Sequence, residues 1–217
     1  MYNETIILNV ENDQAIYQLI KNDTQLGKLI AIIGDLTITL SSDPFRSLVK
    51  TIIDQQLSVK AAGTINNRVE ELMCGNVTPY ALSISSDESL RNAGVSYRKI
   101  SYIRDLVDKV LKGDLNFEEM NQLHNKEVVA MLTNVKGIGK WSAEMFLIFS
   151  LGRTNVLSLD DVGLQRAAKW LYGGEEGKEL LKSKADLWTP HYTIASLYLW
   201  EAVNRDLVIE FENIDMT

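Results

Sequence analysis

With 217 residues of which 46% are hydrophobic, the chain can fill one compact core or two small lobes, so disorder is not its default state. Lysine and arginine number 22 against 29 for aspartate and glutamate, and the resulting net charge of −7 has the wrong sign for coating phosphate unspecifically. Cys74 is the only cysteine, which excludes an internal disulfide, an all-cysteine zinc site and a four-cysteine iron–sulfur cluster.

Residues 1–40 carry the weakest pattern, and Ile6, Ile7 and Leu8 read as a short strand or extended arm. From there on apolar residues recur at helical spacing, which predicts an all-α protein. At Asp43-Pro44 a cap precedes proline at the first helical position, and Phe45, Leu48, Val49, Ile52, Ile53 and Leu57 trace one face. A corner at Gln55-Gln56-Leu57-Ser58 follows, after which Ala61, Ala62, Ile65, Val69 and Leu72 mark a second helix capped by Ser58. Asp87 to Ala93 predicts a short helix closed by Gly94. Ser96 opens a longer one whose face is Ile100, Ile103, Leu106, Val107, Val110 and Leu111. Residues 126–133 predict another short helix, which the glycines of Val135-Lys136-Gly137-Ile138-Gly139 interrupt before helix resumes at Lys140 and runs through Met145, Phe146 and Ile148. Asp160 or Asp161 starts a helix bearing Leu164, Ala167, Ala168 and Leu171, and Thr193 to Val203 makes the last one.

Two features carry chemistry. Two glycines separated by one apolar residue between short helices allow a tight turn with positive φ, and they leave the N–H groups of the next helix pointing at a phosphate. The loop alone is either a corner between two helices that merely needs glycine or a helix-hairpin-helix loop, which, flanked by Lys136 and Lys140, indicates DNA binding better than it indicates a reaction. The second feature is Asp160-Asp161, with Asp161 standing 22 residues after Gly139. Adjacent acids opening a helix serve as caps; a carboxylate at this distance from the hairpin also suits a catalytic role.

Taken together, DPFRSLVKTIIDQQLSVKAAGTI, LRNAGVSYRKISYIRDLV, VKGIGKWSAEMFLIFSLGRTNVLSLDD and WTPHYTIASLYLW resemble the helix-hairpin-helix DNA glycosylase superfamily (HhH-GPD), in the 3-methyladenine DNA glycosylase II branch, from about Asp43 to Val203. The resemblance implies a two-lobed helical fold with a DNA cleft between the lobes. Residues 1–43 would pack with the C-terminal lobe, residues 44–152 would form the central lobe with the hairpin, and residues 153–217 the C-terminal lobe with the catalytic aspartate. It implies that Asp161 is catalytic and Asp160 the helix cap. Trp141 and Trp200 match aromatic positions that stack on a flipped base, with Met145 beside them where one bacterial branch has an aromatic residue. Gln55, Gln56 and Leu57 match the corner that fills the gap left by that base, with either Gln56 or Leu57 as the wedge. Lys136, Gly137, Ile138, Gly139, Lys140 and Ser142 are the phosphate-binding positions.

Bifunctional relatives such as endonuclease III carry a Schiff-base lysine where this chain has Trp141, so the resemblance implies a monofunctional enzyme with water as nucleophile. It requires no cofactor or catalytic metal, although the carbonyls of Thr133, Val135 and Ile138 could hold a monovalent cation that bridges to phosphate. The implied partner is double-stranded DNA containing damaged bases, bound by a monomer. No apolar run reaches the roughly 18 residues of a membrane span, and MYNETIILNV lacks the pattern of a secretory signal, so a cytoplasmic, nucleoid-associated or nuclear location is expected. His124 and His191 stand too far apart in sequence to suggest a metal pair. The rival readings are a non-catalytic helix-hairpin-helix DNA-binding protein and a glycosylase for oxidised or deaminated bases.

Overall fold

Residues 4–216 are described by a computed structural model of the protein. In chain order they form β1 (Glu4–Leu8), α1 (Gln14–Asn22), α2 (Thr24–Ile33), β2 (Leu36–Leu40), α3 (Pro44–Asp54), α4 (Val59–Leu72), α5 (Pro79–Ile84), α6 (Asp87–Asn92) and α7 (Tyr97–Lys112). There follow α8 (Phe117–Met120), α9 (Asn125–Thr133), α10 (Lys140–Phe149), α11 (Val162–Tyr172), α12 (Gly177–Trp188), α13 (Tyr192–Asn204), α14 (Leu207–Glu210) and a short 3₁₀ turn at Ile214–Met216. The fold is mostly helical. No helix among the described residues is long and apolar enough to cross a membrane.

The chain divides into two compact units. One is Ser41–Leu151, which holds α3 to α10. The other joins the described residues up to Leu40 to those from Gly152 on.

In the first unit, the side chain of Asp43 accepts the backbone N–H of Arg46 and Pro44 occupies the first turn, so α3 begins where its missing N–H costs nothing. Its apolar stripe of Phe45, Leu48, Val49, Ile52 and Ile53 is buried. The N–H of Lys99 donates to the hydroxyl of Ser96 at 3.3 Å and starts α7, which ends at Gly113 in the left-handed conformation, φ 82°. Ile100, Ile103, Leu106 and Val107 face inward along α7. Helices α5 and α8 have few residues and little periodicity, and the sequence pattern does not announce them.

In the second unit, β1 and β2 pair antiparallel with Glu4 opposite Leu40 and Leu8 opposite Leu36. This small sheet qualifies the all-α expectation, and the extended arm at Ile6–Leu8 is one of its strands. Leu8, Ile16, Leu19, Leu29 and Ile30 share one core with Leu164, Leu171, Trp188, Tyr198 and Leu199. Asp23 joins the elements around it. The carboxylate is only 4% exposed; Oδ1 accepts the N–H of Leu26 at 3.0 Å, while Oδ2 accepts the phenol of Tyr172 at 2.7 Å and the indole of Trp188 at 2.9 Å. A buried carboxylate is tolerated when such donors replace its lost water. Burial, reinforced by the charge of Asp23, pushes the Tyr172 phenol far above its ordinary pKa.

Candidate active site

The loop into α11 brings the acidic pair to different ends. Asp161, not Asp160, is the helix cap: its Oδ1 accepts the N–H of Leu164 at 2.7 Å. Asp160 is exposed and pairs with Lys178. The expectation that Asp160 caps the helix is therefore corrected, because the residue immediately before the first helical one is the one whose side chain reaches the first-turn N–H groups. Asp161 is 8% exposed and also accepts the indole N–H of Trp200 from α13 at 3.0 Å, again through Oδ1. Two N–H donors and the positive end of a helix thus fix and stabilise one carboxylate.

The loop before it is tied down on both sides. The hydroxyl of Thr193 donates to the carbonyl of Arg153 at 2.7 Å and accepts the N–H of Val156 at 3.2 Å, while the amide of Gln165 donates to the carbonyl of Leu159 at 2.8 Å. Gly163 completes the arrangement. A Cβ built there would lie 3.1 Å from Asp161 Oδ1 and 3.5 Å from Trp200 Cδ1, so glycine gives the carboxylate and the indole room to meet. Sequence reasoning passed over Gly163, Gln165 and Thr193; only the glycine two residues after the acid offered a signal.

In the first unit, α9 and α10 flank the predicted hairpin. Gly137 has φ 81° and Gly139, the N-cap of α10, has φ −91°. The expectation of positive φ holds for Gly137 alone. A Cβ on Gly137 would stand 2.1 Å from the ring of Tyr102, whereas one on Gly139 would meet nothing within 4 Å. Ile138 is buried and plugs the turn into the core. Ser142, expected among the phosphate-binding positions, is 7% exposed, so its side chain is largely closed off from a ligand. Lys136 is exposed and its N–H donates to Asp105 at 2.8 Å; Lys140 lies 3.6 Å from Glu144 Oε1, one turn on. Burial alone would raise the Asp105 carboxyl, but the Lys109 ammonium and the Lys136 N–H outweigh it and hold it below the ordinary carboxylate range. The carbonyls of Thr133, Val135 and Ile138 are hard oxygen donors, a set that fits a hard cation, although that of Val135 already accepts the N–H of Ile138 at 3.1 Å.

The corner between α3 and α4 is exposed at Gln56, Leu57 and Ser58, and Gln56 takes the left-handed conformation, φ 58°. Gln55 is turned differently: its amide donates to the carbonyl of Gly137 at 2.7 Å. Trp141 is 49% exposed and so is not a core tryptophan; Met145, one turn along α10, is half-buried. Asp161 and Trp200 therefore meet in the second unit, while Trp141, Met145, the corner and the hairpin belong to the first. His124 starts α9, where its N–H donates to Glu127, and His191 contacts Gln18.

Comparison with known proteins decides the family. The family model described as HhH-GPD superfamily base excision DNA repair protein matches residues 49–190, well over half of the chain. The chain belongs to this superfamily. A crystal structure of DNA-3-methyladenine glycosidase from Bacillus halodurans is 43% identical, covers 97% of this chain and 98% of its own, and superposes with a TM-score of 0.91. The 3-methyladenine DNA glycosylase of Schizosaccharomyces pombe, solved in complex with abasic DNA, is 30% identical over 88% of this chain and 97% of its own, with a TM-score of 0.79. The DNA-3-methyladenine glycosylase of Saccharomyces cerevisiae is 32% identical over 81% of this chain and 62% of its own length.

Proposed function

We propose that the protein is a monofunctional DNA glycosylase that removes alkylated bases such as 3-methyladenine and 7-methylguanine from duplex DNA in base excision repair. The observation that carries this reading is Asp161, a nearly buried carboxylate fixed by the Leu164 and Trp200 N–H groups inside a superfamily of base excision proteins. The names of the relatives support the alkylated-base class.

Alkylation at N3 or N7 gives the purine a positive charge and makes it a good leaving group. The bond from the sugar C1′ to the base nitrogen breaks, its electrons neutralise the departing base, and positive charge develops on the sugar. Asp161 stabilises that charge and orients or deprotonates the water that attacks C1′, which leaves an abasic site in an intact strand. Held by donors before the reaction begins, the carboxylate needs no reorganisation at the moment charge appears. Trp200 and Trp141, with Met145, are assigned to the flipped base, and Gln56 or Leu57 to the space it vacates. Lys136, Lys140 and the N–H groups at the start of α10 are assigned to phosphate, where a monovalent cation on the Thr133, Val135 and Ile138 carbonyls would add positive charge.

One observation favours a second reading, a DNA-binding module without activity: capping α11 is by itself a sufficient reason for Asp161. Asp161→Asn separates the two, because asparagine caps as well as aspartate but carries no charge. Release of 3-methyladenine at saturating enzyme should fall by about 10²–10³ while the fold and the affinity for abasic duplex persist. Near wild-type release by a folded Asp161→Asn protein would remove the catalytic assignment. With tryptophan at position 141, borohydride should trap no covalent protein–DNA adduct.

A further inference from the structure

Two loops assigned separate tasks above, the corner at Gln55–Ser58 and the hairpin at Lys136–Gly139, are held by one stripe of α7. Lys99, Tyr102 and Asp105 follow one another at three-residue intervals and so share a face of that helix. Lys99, only 9% exposed, donates through its ammonium to the carbonyls of Ile53 and Gln55 at 2.7 Å each, which closes the end of α3. The ring of Tyr102 fills the place that a side chain on Gly137 would take. Asp105 accepts the N–H of Lys136 at 2.8 Å and is itself held by Lys109 at 2.7 Å. The amide of Gln55 then joins the loops directly, reaching the carbonyl of Gly137 across 82 residues of sequence.

Resting on the glycosylase reading, we infer that Gln55 is a positioning residue that, with the Lys99–Tyr102–Asp105 stripe, fixes the wedge corner to the phosphate-binding hairpin so that anchoring on DNA delivers the wedge at a set place. A loop free to swing would spend part of the anchoring free energy on ordering itself; a braced one does not. The left-handed Gln56 and the 37% exposed Leu57 form the tip, and Gln55, whose amide is committed to Gly137, forms its root. The device matters only while a paired base has to be pushed out of the stack. Once the base has no partner, the wedge has little left to do.

Gln55→Met keeps the size and deletes the donor; Gln55→Glu keeps the size and sets a carboxylate against the carbonyl. Both are compared with the wild type in single-turnover release of 7-methylguanine, paired with cytosine or placed opposite a spacer that bears no base. The expected result is a fall of about tenfold or more on the paired duplex and less than about threefold opposite the spacer, since flipping an unpaired base costs little. Affinity of Gln55→Met for undamaged duplex and its salt slope should not change, whereas Gln55→Glu adds a charge that weakens binding to every duplex alike. Equal falls on both substrates, or no fall on the paired one, would overturn the inference. So would a loss of Gln55→Met affinity for undamaged duplex, which would place Gln55 in the phosphate anchor. A thermal melt checks folding, and if Gln55→Met does not fold, Gln55→Glu carries the comparison. Fluorescence of 2-aminopurine next to a cytosine-paired 7-methylguanine whose sugar carries a 2′-fluorine, which disfavours the sugar cation and so slows cleavage, reports wedge insertion without any excision, and both variants should bind that duplex with a smaller rise. If the wild type released no alkylated base, the glycosylase reading would fail, while the fluorescence comparison would still decide the role of Gln55.

Discussion

The indole N–H of Trp200 donates to Oδ1 of Asp161 at 3.0 Å, so the aromatic residue assigned to the base also orients the carboxylate assigned to the sugar. Trp200→Phe separates these tasks, since it keeps an aromatic face and deletes the donor. Loss of a hydrogen bond to a charged group costs about 1.5–3 kcal/mol, so the release rate at saturating enzyme should drop by about tenfold or more. Affinity for abasic duplex should stay within about twofold, because no cation is present for the carboxylate to meet. Stopped release under single-turnover conditions checks the first expectation and fluorescence anisotropy the second. An unchanged rate would confine Trp200 to stacking.

The parts that were legible in the sequence are those with local signatures. Asp43-Pro44, Ser58 and Ser96 announce the starts of α3, α4 and α7 because a cap and its helix lie within four residues of each other. The glycines at 137 and 139 announce the hairpin. Helices α1, α2 and α12 escaped, although Asp13 and Asp23 are caps of the ordinary kind, because α1 and α2 are only 9 and 10 residues long and follow one another directly, and the 173–188 segment mixes charge with leucine. What no local pattern can show is a partner far along the chain. Asp23 meets Trp188 at a separation of 165 residues, and Gln55 meets Gly137 at 82. The cap of α11 was misplaced onto Asp160 for another reason: which of two neighbouring acids caps a helix depends on where the first turn begins, and element ends are the least certain part of a pattern.

Gly163→Ala should set stability against activity. The residue sits in the first turn of α11 with no strained φ, so alanine suits the backbone by about 0.5 kcal/mol, which pressure on the Asp161 cap should offset and so leave the melting temperature close to that of the wild type. The new methyl group would press on Asp161 Oδ1 at 3.1 Å and on the Trp200 ring at 3.5 Å. Displacing preorganised groups by a few tenths of an ångström should slow release by about tenfold. A thermal melt and a single-turnover assay on the same preparation test both halves; a variant as active as the wild type would show that the site relaxes freely.

Asp160 and Asp23 should rank opposite to their visibility in the sequence. Asp160→Asn removes the charge that Asp160 brings to its exposed pair with Lys178, side chains 49% and 43% exposed, so it should cost at most about 1 kcal/mol and leave release unchanged. Asp23→Ala strands the Tyr172 phenol and the Trp188 indole in the core and removes the cap of α2, at a cost of about 2–4 kcal/mol. Urea melts of the two variants give the comparison directly. A mild Asp23→Ala would mean that water enters and satisfies the stranded donors.

The two hairpin glycines should fail in different ways when replaced by alanine. Gly137 combines φ 81° with the Tyr102 ring at 2.1 Å from any added Cβ, so alanine must either push out the ring or unwind the turn. Because Tyr102 belongs to the helix that also holds Lys136, Gly137→Ala should lower stability by about 2 kcal/mol or more and lose DNA binding as a consequence. Gly139 has an ordinary φ of −91° and open space around it, so Gly139→Ala should melt like the wild type. If phosphate approaches the N–H groups of α10 as proposed, its methyl group would project into that approach, and affinity for every duplex should weaken by about tenfold regardless of sequence or damage. Binding isotherms on undamaged and abasic duplexes, taken beside thermal melts, distinguish the cases. If Gly139→Ala bound DNA normally while remaining folded, the start of α10 would not be where phosphate sits, and the anchoring role would have to pass to Lys136 and Lys140.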